Sequence, residues 1–598
     1  MKSKRPLVIA AVVVVCAVAL VGLGNLYLSW RLHRSLAAIN GERAELQFTP
    51  LAVPQGLAER WGGGEVAALA AGSGSLVCAG GFGVRDGATD LSPGLPGLRV
   101  AALALWRGRP IAGLEAGGLF LRREDHWEEL RSGFGILHVR ALAEGPGGDL
   151  LIGAREGLFT VAWGARMMER LDRAPVRTLA LAEGGAWLVG GERGLCRLDG
   201  ARTSPITTPD PWVDWVGVLG KEVVALTPLG LVRGPLGGDL LPLGRGEEVG
   251  SAAVLGSQVF AVSDGRLLRF ESSGRPAEEF PPLPPRRVLT AAGVLFVDTD
   301  AGLYRRTAQG WTLAQARPAS LPPGPCHISA LALQEGNLVA GLFDGGLAVA
   351  APRGPGLAWS AVPGSGVWGV NALLPAGGAL YVASLRGAAR FDGHHLTALE
   401  GGNGAAFSLA ATGDGVAVGY GQGVLLPGSR FLSAFHGLPG NQALALAAGP
   451  QLFVGTPSGL GAIQAGRVAW RVTGGEGKLP NPWITALALR GEDLFIGTYG
   501  GGVTRRTAHP DTVVFQNFPE TDGLKVNPGC LVLAGDRLYL GSDGAGLFRL
   551  SADGRFRPIR ASLPSRHITA ILAGADCLWV GTDEGLARIP LNAPEEGA

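Results

Sequence analysis

The stretch EDLFIGTYGGGVTRR, residues 492–506, reads as two short strands joined by a glycine-rich turn. A near copy, DRLYLGSDGAGLFRL, occupies 536–550, and DCLWVGTDEGLARI occupies 576–589. The whole unit is visible from residue 484 in ITALALRGEDLFIGTYGGGVTRR. A small-residue apolar strand is followed by a polar turn, a strand ending in Gly, a Gly turn and a third strand. The turn glycines supply the positive-φ positions that a tight hairpin requires.

Working outward, the unit recurs fourteen times. Its first strands are expected near Val66, Val100, Val139, Val176, Trp215, Ser251, Val288, Ile328, Val370, Phe407, Ala443, Ile484, Cys530 and Ile568. The spacing of about 38 residues lies in the range of propeller blades. Between copies stands a fourth short strand, such as HWEEL (126–130), WTLAQ (311–315) or VVFQNF (513–518), then a loop that commonly contains Leu-Pro. Four short antiparallel strands per repeat predict a β-propeller. A helical solenoid would need a 3.6-residue period, and none runs through the repeats. The expected fold is therefore all-β, as two tandem seven-bladed β-propellers of fourteen four-stranded blades, after one N-terminal transmembrane helix.

Composition agrees with a large folded core. Of 598 residues, 47% are hydrophobic and 17% charged. That balance argues against disorder. The 97 glycines follow no G-X-Y period, which excludes collagen. A net charge of +2 without a basic block argues against a nucleic-acid partner. The six cysteines, Cys16, Cys78, Cys196, Cys326, Cys530 and Cys577, are scattered through apolar contexts and form no C-x-x-C, so buried thiols are expected.

The N-terminus differs from the rest. The basic MKSKRP precedes a charge-free run from Leu7 to Trp30. As a helix this run would span roughly 36 Å against roughly 30 Å of hydrocarbon. Lys2, Lys4 and Arg5 hold that end in the cytoplasm by the positive-inside bias. The expected organisation is a cytoplasmic tail (1–6), a signal anchor (7–30), a linker (31–43), a first propeller (44–308), a second propeller (309–592) and a tail (593–598), with the propellers exported. The alternative is a cleaved signal peptide and a free secreted protein. Because the last repeat ends on a third strand, closure by distant segments is expected. Residues 44–50 would complete the sheet of Leu303–Arg306, and 311–315 that of Leu586–Ile589.

The repeat resembles the two-component regulator propeller repeat, whose consensus runs like LWIGT..GGL.R. LWVGTDEGLARI (578–589) and LFIGTYGGGVTRR (494–506) match it best, with LLIGAREGLFTV (150–161) and LYLGSDGAGLFRL (538–550) close behind. The copies from 215 to 306 are degenerate. The resemblance implies paired seven-bladed propellers forming the exported sensor region of a membrane histidine kinase. No kinase segment follows the last repeat, so any signal is expected to pass to a separate chain.

Candidate site residues cluster in the loops that enter innermost strands. His138, His327 and His567 each stand one residue before such a strand, and Trp212, Trp215, Trp368 and Trp483 lie in the same loops. Tryptophan at a pore mouth stacks on a sugar or a peptide side chain, or else seals a blade interface. The ligand-binding candidates are His327, Trp368, Trp483, His567, Trp212 and Trp215. A metal site needs three or four convergent ligands and two histidines fall short. DTDAG (298–302) imitates a calcium loop without its distal Glu. No H-E-x-x-H, P-loop or strand-to-helix G-x-S-x-G occurs, and no cofactor is implied. The expected function is a non-enzymatic, membrane-anchored sensor or scaffold binding a protein or small ligand such as a glycan. A polysaccharide hydrolase or lyase and an envelope-assembly factor are the alternatives, because a carboxylate pair is not identifiable from sequence.

Overall fold

The computed structural model describes residues 42–51, 59–62, 65–72, 76–200, 202–244, 247–271, 276–316, 327–353, 356–402, 404–474, 478–509, 511–559, 561 and 563–593. The expected membrane segment at 7–30 lies outside them. Among the described residues no helix is long and apolar enough to cross a membrane.

The described chain is all-β apart from short 310 turns such as Ala434–His436. The opening stretch does what its pattern demands. Ile484–Arg490, Asp493–Thr498, Gly502–Ala508 and Val513–Asn517 pair antiparallel in that order. Four-stranded sheets of this kind repeat along the chain as propeller blades. Contacts between first strands run in two closed successions. One passes through Val66–Ala71, Val100–Trp106, Val139–Glu144, Val176–Leu181, Trp215–Leu219, Ser251–Leu255 and Arg287–Ala291, then back to Val66–Ala71. The other passes through Ile328–Gln334, Val370–Ala376, Ala406–Thr412, Ala445–Ala448, Ile484–Arg490, Val526–Ala534 and Ile568–Ala573, then back to Ile328–Gln334. These are the innermost strands of a first and a second ring.

The recurring punctuation of the repeat has specific packing causes. A Cβ on Gly581 would lie 2.6 Å from Ile328 Cγ2, so this strand-ending glycine admits the β-branched residue that opens the neighbouring sheet and closes the second ring. The Thr after it donates from Oγ1 to the Gly585 carbonyl at 3.0 Å, tying the hairpin turn shut. Thr498 and Thr456 do the same to Gly502 and Gly459. The apolar strand faces then fill the space between sheets. Phe495 and Val503 of one sheet, for example, bury against Val526, Leu531 and Leu540 of the next.

Closure differs from the expected pairings. The last sheet takes its fourth strand from Glu59–Gly62, which runs antiparallel to Gly585–Pro590 with Glu59 opposite Arg588. Residues 311–315 do not perform that task. They belong to Gly310–Ala316, which folds back on Gly302–Thr307 through a tight turn. A local hairpin orders far less chain than a distant pairing, so it prevails wherever a turn is available. Nor does 44–50 meet Leu303–Arg306. The strand Glu42–Pro50 lies between Met167–Asp172 and Trp127–Ser132, joining the outer edges of two adjacent sheets. Its nine residues are long enough to serve both edges, and Leu46 buries between them against Trp106, Leu130 and Met168.

The two rings touch near the closed sheet. Leu98 N donates to Pro564 O and Arg99 N to Glu584 Oε2, each at 3.4 Å. The described cysteines, Cys78, Cys196, Cys530 and Cys577, are free thiols. Burial pushes those of Cys78 and Cys196 up to about 11.

Candidate functional site at the mouth of the second ring

Most innermost strands carry a β-bulge after their first residue, as between Ile328 and Ala330, Val370 and Ala372, and Ile568 and Ala570. A bulge re-aims the extra side chain. In the second ring the extra residue is commonly polar, and it donates to the backbone of the next sheet. Ser329 Oγ reaches Val370 O at 2.5 Å, and Asn371 Nδ2 reaches Ala406 O at 2.8 Å. Thr485 Oγ1 reaches Val526 O at 2.6 Å, and Asn527 Nδ2 reaches Ile568 O at 2.7 Å. Thr569 donates to Ile328 O across the closure, and Ser408, one place after the extra residue Phe407, donates to Ala443 O. Side-chain hydrogen bonds thus form a belt around the axis at this end. Within it lies a cavity of about 170 Å3 lined by His327, Ser329, Asn371, Phe407, Leu444, Asn527, Pro528 and Thr569.

A connected arc occupies entry loops and turns at the same end of this ring. Trp483 is 45% exposed, and its ring lies 5.0 Å from that of Tyr499. Lys525 Nζ stands 5.4 Å from the Tyr499 ring. Tyr499 OH donates to Asp543 Oδ2 at 3.3 Å, and His567 Nδ1 meets Asp543 Oδ1 at 2.5 Å. Backbone bridges between Tyr499 and Lys525, and between Asp543 and His567, hold each turn against the next entry loop. The carboxylate orients the imidazole and leaves Nε2 available. The arc therefore offers an aromatic face, a cation and an oriented histidine over three neighbouring sheets.

The predicted residues divide between the rings. His327, Trp368, Trp483 and His567 all precede innermost strands of the second ring and lie at this end. His327 lines the cavity and stacks on Phe343 at 5.3 Å. Burial lowers its pKa, against the opposing pull of Asp583 and Asp344. Trp368 is half-buried beside it in the next entry loop, where its amide donates to Ser365 O. Trp483 and His567 belong to the arc. Trp212 and Trp215 belong to the first ring. Trp212 Nε1 donates to Asp214, and the Arg177 guanidinium lies 4.9 Å from its ring. Trp215 packs against the cluster of Leu219, Val224 and Leu226. His138, also in the first ring, pairs through Nδ1 with Glu156 at 2.8 Å.

Sequence reasoning passed over Ser329, Asn371, Asn527, Thr569, Tyr499, Lys525 and Asp543. A signal for the first four was present. Openings such as ISAL, VNAL and ITAI carry a short Ser, Asn or Thr as second residue, whereas the first ring has Ala or Arg there, as in VAAL and VRAL. Also unanticipated was Glu584, on the turn beside His327's neighbour Asp583. It is 7% exposed, and its carboxyl is pushed up to about 8, first by burial and then by the charge of Asp583. The Arg99 amide, which donates to it, partly offsets this.

No family model matches the chain, and no curated protein matches it. Among solved structures it is similar to PorZ, a surface component of the type-IX secretion system of Porphyromonas gingivalis. The identity is 13%, over 91% of this chain and 88% of that one, with a TM-score of 0.61. It is also similar to a GH74 enzyme of Niastella koreensis, at 13% identity over 91% and 99% of the two chains, with a TM-score of 0.55. The extracellular domain of a putative hybrid two-component system from B. thetaiotaomicron aligns at 14% identity over 92% and 84%, with a TM-score of 0.39. At such identities the first two likenesses establish one thing, a shared β-propeller-type architecture.

Proposed function

We propose that this chain is a membrane-anchored, exported pair of seven-bladed propellers, fourteen blades in all, which binds a ligand or partner protein as a sensor or scaffold without transforming it. The closed successions of innermost strands support the count. The repeat's resemblance to sensor propellers and the charge-free segment at 7–30 support the placement. Propeller neighbours include a secretion-system surface component and a glycoside hydrolase, so the scaffold alone does not choose between binding and catalysis. The observation that carries the binding reading is the arc of Trp483, Tyr499, Lys525, Asp543 and His567 at the cavity's end of the ring, in which Trp483, Lys525 and His567 are exposed. Full burial of a large apolar side chain is worth roughly 1.5–3 kcal/mol, and a stacked ligand would recover the part that Trp483, 45% exposed, forgoes.

The test is an array of neutral oligosaccharides, acidic oligosaccharides and peptides, probed with the full chain and with its Trp483→Ala and His567→Ala variants. The expected result is a bound class whose signal falls in both variants, with no change in the probe after incubation. Binding that ignores both variants, or release of new reducing ends from a glycan, overturns this reading. Fractionation tests the anchor: the full chain should stay with membranes through a salt and alkali wash.

A further inference from the structure

The innermost strand Val526–Ala534 departs from the repeat at the axial cavity of the second ring. Elsewhere in this ring a bulge adds one residue, as Ser329 does between Ile328 and Ala330. Here Val526 faces Ser542 and the next pair is Leu531 with Leu540, so residues 527–530 stand opposite Gly541 alone. The excursion brings Asn527 and Pro528 into the cavity wall. Extra backbone at the crowded axis forgoes ladder hydrogen bonds, and bulges re-aim side chains beside functional sites.

The belt decides which hydrogen bonds this wall still offers. Ser329 and Thr569 each have a single O–H, and each directs it at a backbone carbonyl, of Val370 and of Ile328. Their oxygens are then left to accept from a ligand. Asn371 and Asn527 each place an amide N–H on a carbonyl, of Ala406 and of Ile568. A carbonyl partner fixes the nitrogen end of each carboxamide, and so fixes the Oδ1 end as well. Among the described residues neither Oδ1 has a partner, and neither is enclosed by protein. These side chains therefore present open acceptor oxygens together with the second N–H of each carboxamide. A carboxylate or phosphate, which only accepts, matches them poorly. A buried ammonium needs a counter-charge, and none of the described lining residues is a carboxylate. Burial in the same wall already disfavours the charged form of His327. Uncharged hydroxyls both donate and accept, and match what is offered. Phe407, Leu444 and Pro528 add apolar surface, which suits the C–H face of a sugar ring. A void of about 10–15 Å3 holds one water, so one of about 170 Å3 holds a group of on the order of ten heavy atoms, the size of a single sugar.

We infer that the axial cavity of the second ring receives one uncharged sugar residue, the end of a glycan, with Asn371 and Asn527 reading its hydroxyls and Phe407 lying against its C–H surface. This rests on the reading of the mouth as a ligand-binding face, and names the class of ligand.

Calorimetric titration of the full chain with cellotetraose, mannotetraose and galactotetraose tests it. Each is compared with the same tetrasaccharide whose terminal CH2OH is oxidised to a carboxylate, and with one whose terminal sugar carries a 2-amino group. The expected result is saturable binding of at least one neutral tetrasaccharide, weakened about tenfold or more by either terminal charge. Asn371→Ala and Asn527→Ala should each weaken the neutral sugar about tenfold, equivalent to about 1.4 kcal/mol. Both variants also lose a belt hydrogen bond, so Thr485→Val is the control. Thr485 is buried, donates to Val526 O in the same belt and lies outside the described cavity wall. Its variant should melt at a lower temperature and keep its affinity. Should either Asn variant fail to fold, Phe407→Leu serves in its place, with a similar loss expected. Equal or tighter binding of a charged counterpart overturns the inference. So does affinity that survives in both Asn variants, or a loss in Thr485→Val as large as theirs. Binding of acidic glycans or peptides alone, lost in Trp483→Ala and His567→Ala, overturns it and leaves the ligand-binding reading standing. No binding by any class of probe overturns both.

Discussion

Glu584→Gln isolates the contact between the two rings. The carboxyl is buried, accepts from the Arg99 amide across the ring boundary, and sits beside Asp583. Its folded pKa is pushed up to about 8 from an ordinary 4.5, so the folded state holds this proton more tightly than the unfolded chain does. Stability is thus fully expressed below about pH 4.5, falls as pH rises to about 8, and stays level above. Each unit of pKa is worth about 1.4 kcal/mol, so the shift corresponds to roughly 5 kcal/mol as an upper bound. Glutamine fills nearly the same volume, still accepts from the Arg99 amide and does not titrate. The variant should therefore match the natural protein at about pH 4 and exceed it by several kcal/mol at about pH 8.5. Urea unfolding at the two pH values reads the difference. Limited proteolysis at the higher pH reports whether the strain parts the rings before the blades unfold. If both proteins lose stability in parallel across this range, Glu584 is not a buried acid between the rings, and the reasoning fails.

Further perturbations address closure, the outer strand and the rim. Gly581→Ala places a Cβ 2.6 Å from Ile328 Cγ2 at the closing junction. It should cost about 1–3 kcal/mol in denaturant titration. An unchanged midpoint would show that the rings do not close there. Leu46→Ala empties a position that is 4% exposed between two sheets. The expected cost is about 2–5 kcal/mol, read by thermal melting. A negligible shift would remove Glu42–Pro50 from the folded ring. Trp483 is half in solvent and its ring meets the tilted ring of Tyr499. Losing that aromatic pair in Trp483→Ala should cost about 0.5–1.5 kcal/mol. A large drop in melting temperature would make Trp483 structural and withdraw it from the rim arc.

Local pattern alone determined the blade. Short apolar runs ending in Gly, a Thr or Ser before the turn, and a positive-φ glycine leave a chain few options besides stacked hairpins. The first strands begin within a few residues of where the repeat places them. The mouth was legible to the same extent, because a residue one place before an innermost strand must lie at one end of the axis. That carried His327, Trp368, Trp483 and His567 to the same end.

Only the tertiary structure decided which distant segments complete the sheets and which side chains meet. Glu59–Gly62, rather than 311–315, supplies the last strand, since an exposed strand edge accepts any extended segment and backbone pairing carries little sequence information. The same holds for Glu42–Pro50 at its double edge. The arc from Trp483 to His567 joins residues 84 positions apart, with Tyr499, Lys525 and Asp543 recruited from turns that look interchangeable in sequence. Arg537 and Arg549 meet at the Leu591 carbonyl for a similar reason. A repeat specifies the path of each blade, but the contacts between blades depend on how the ring turns one sheet against the next, and that angle is a property of the closed ring.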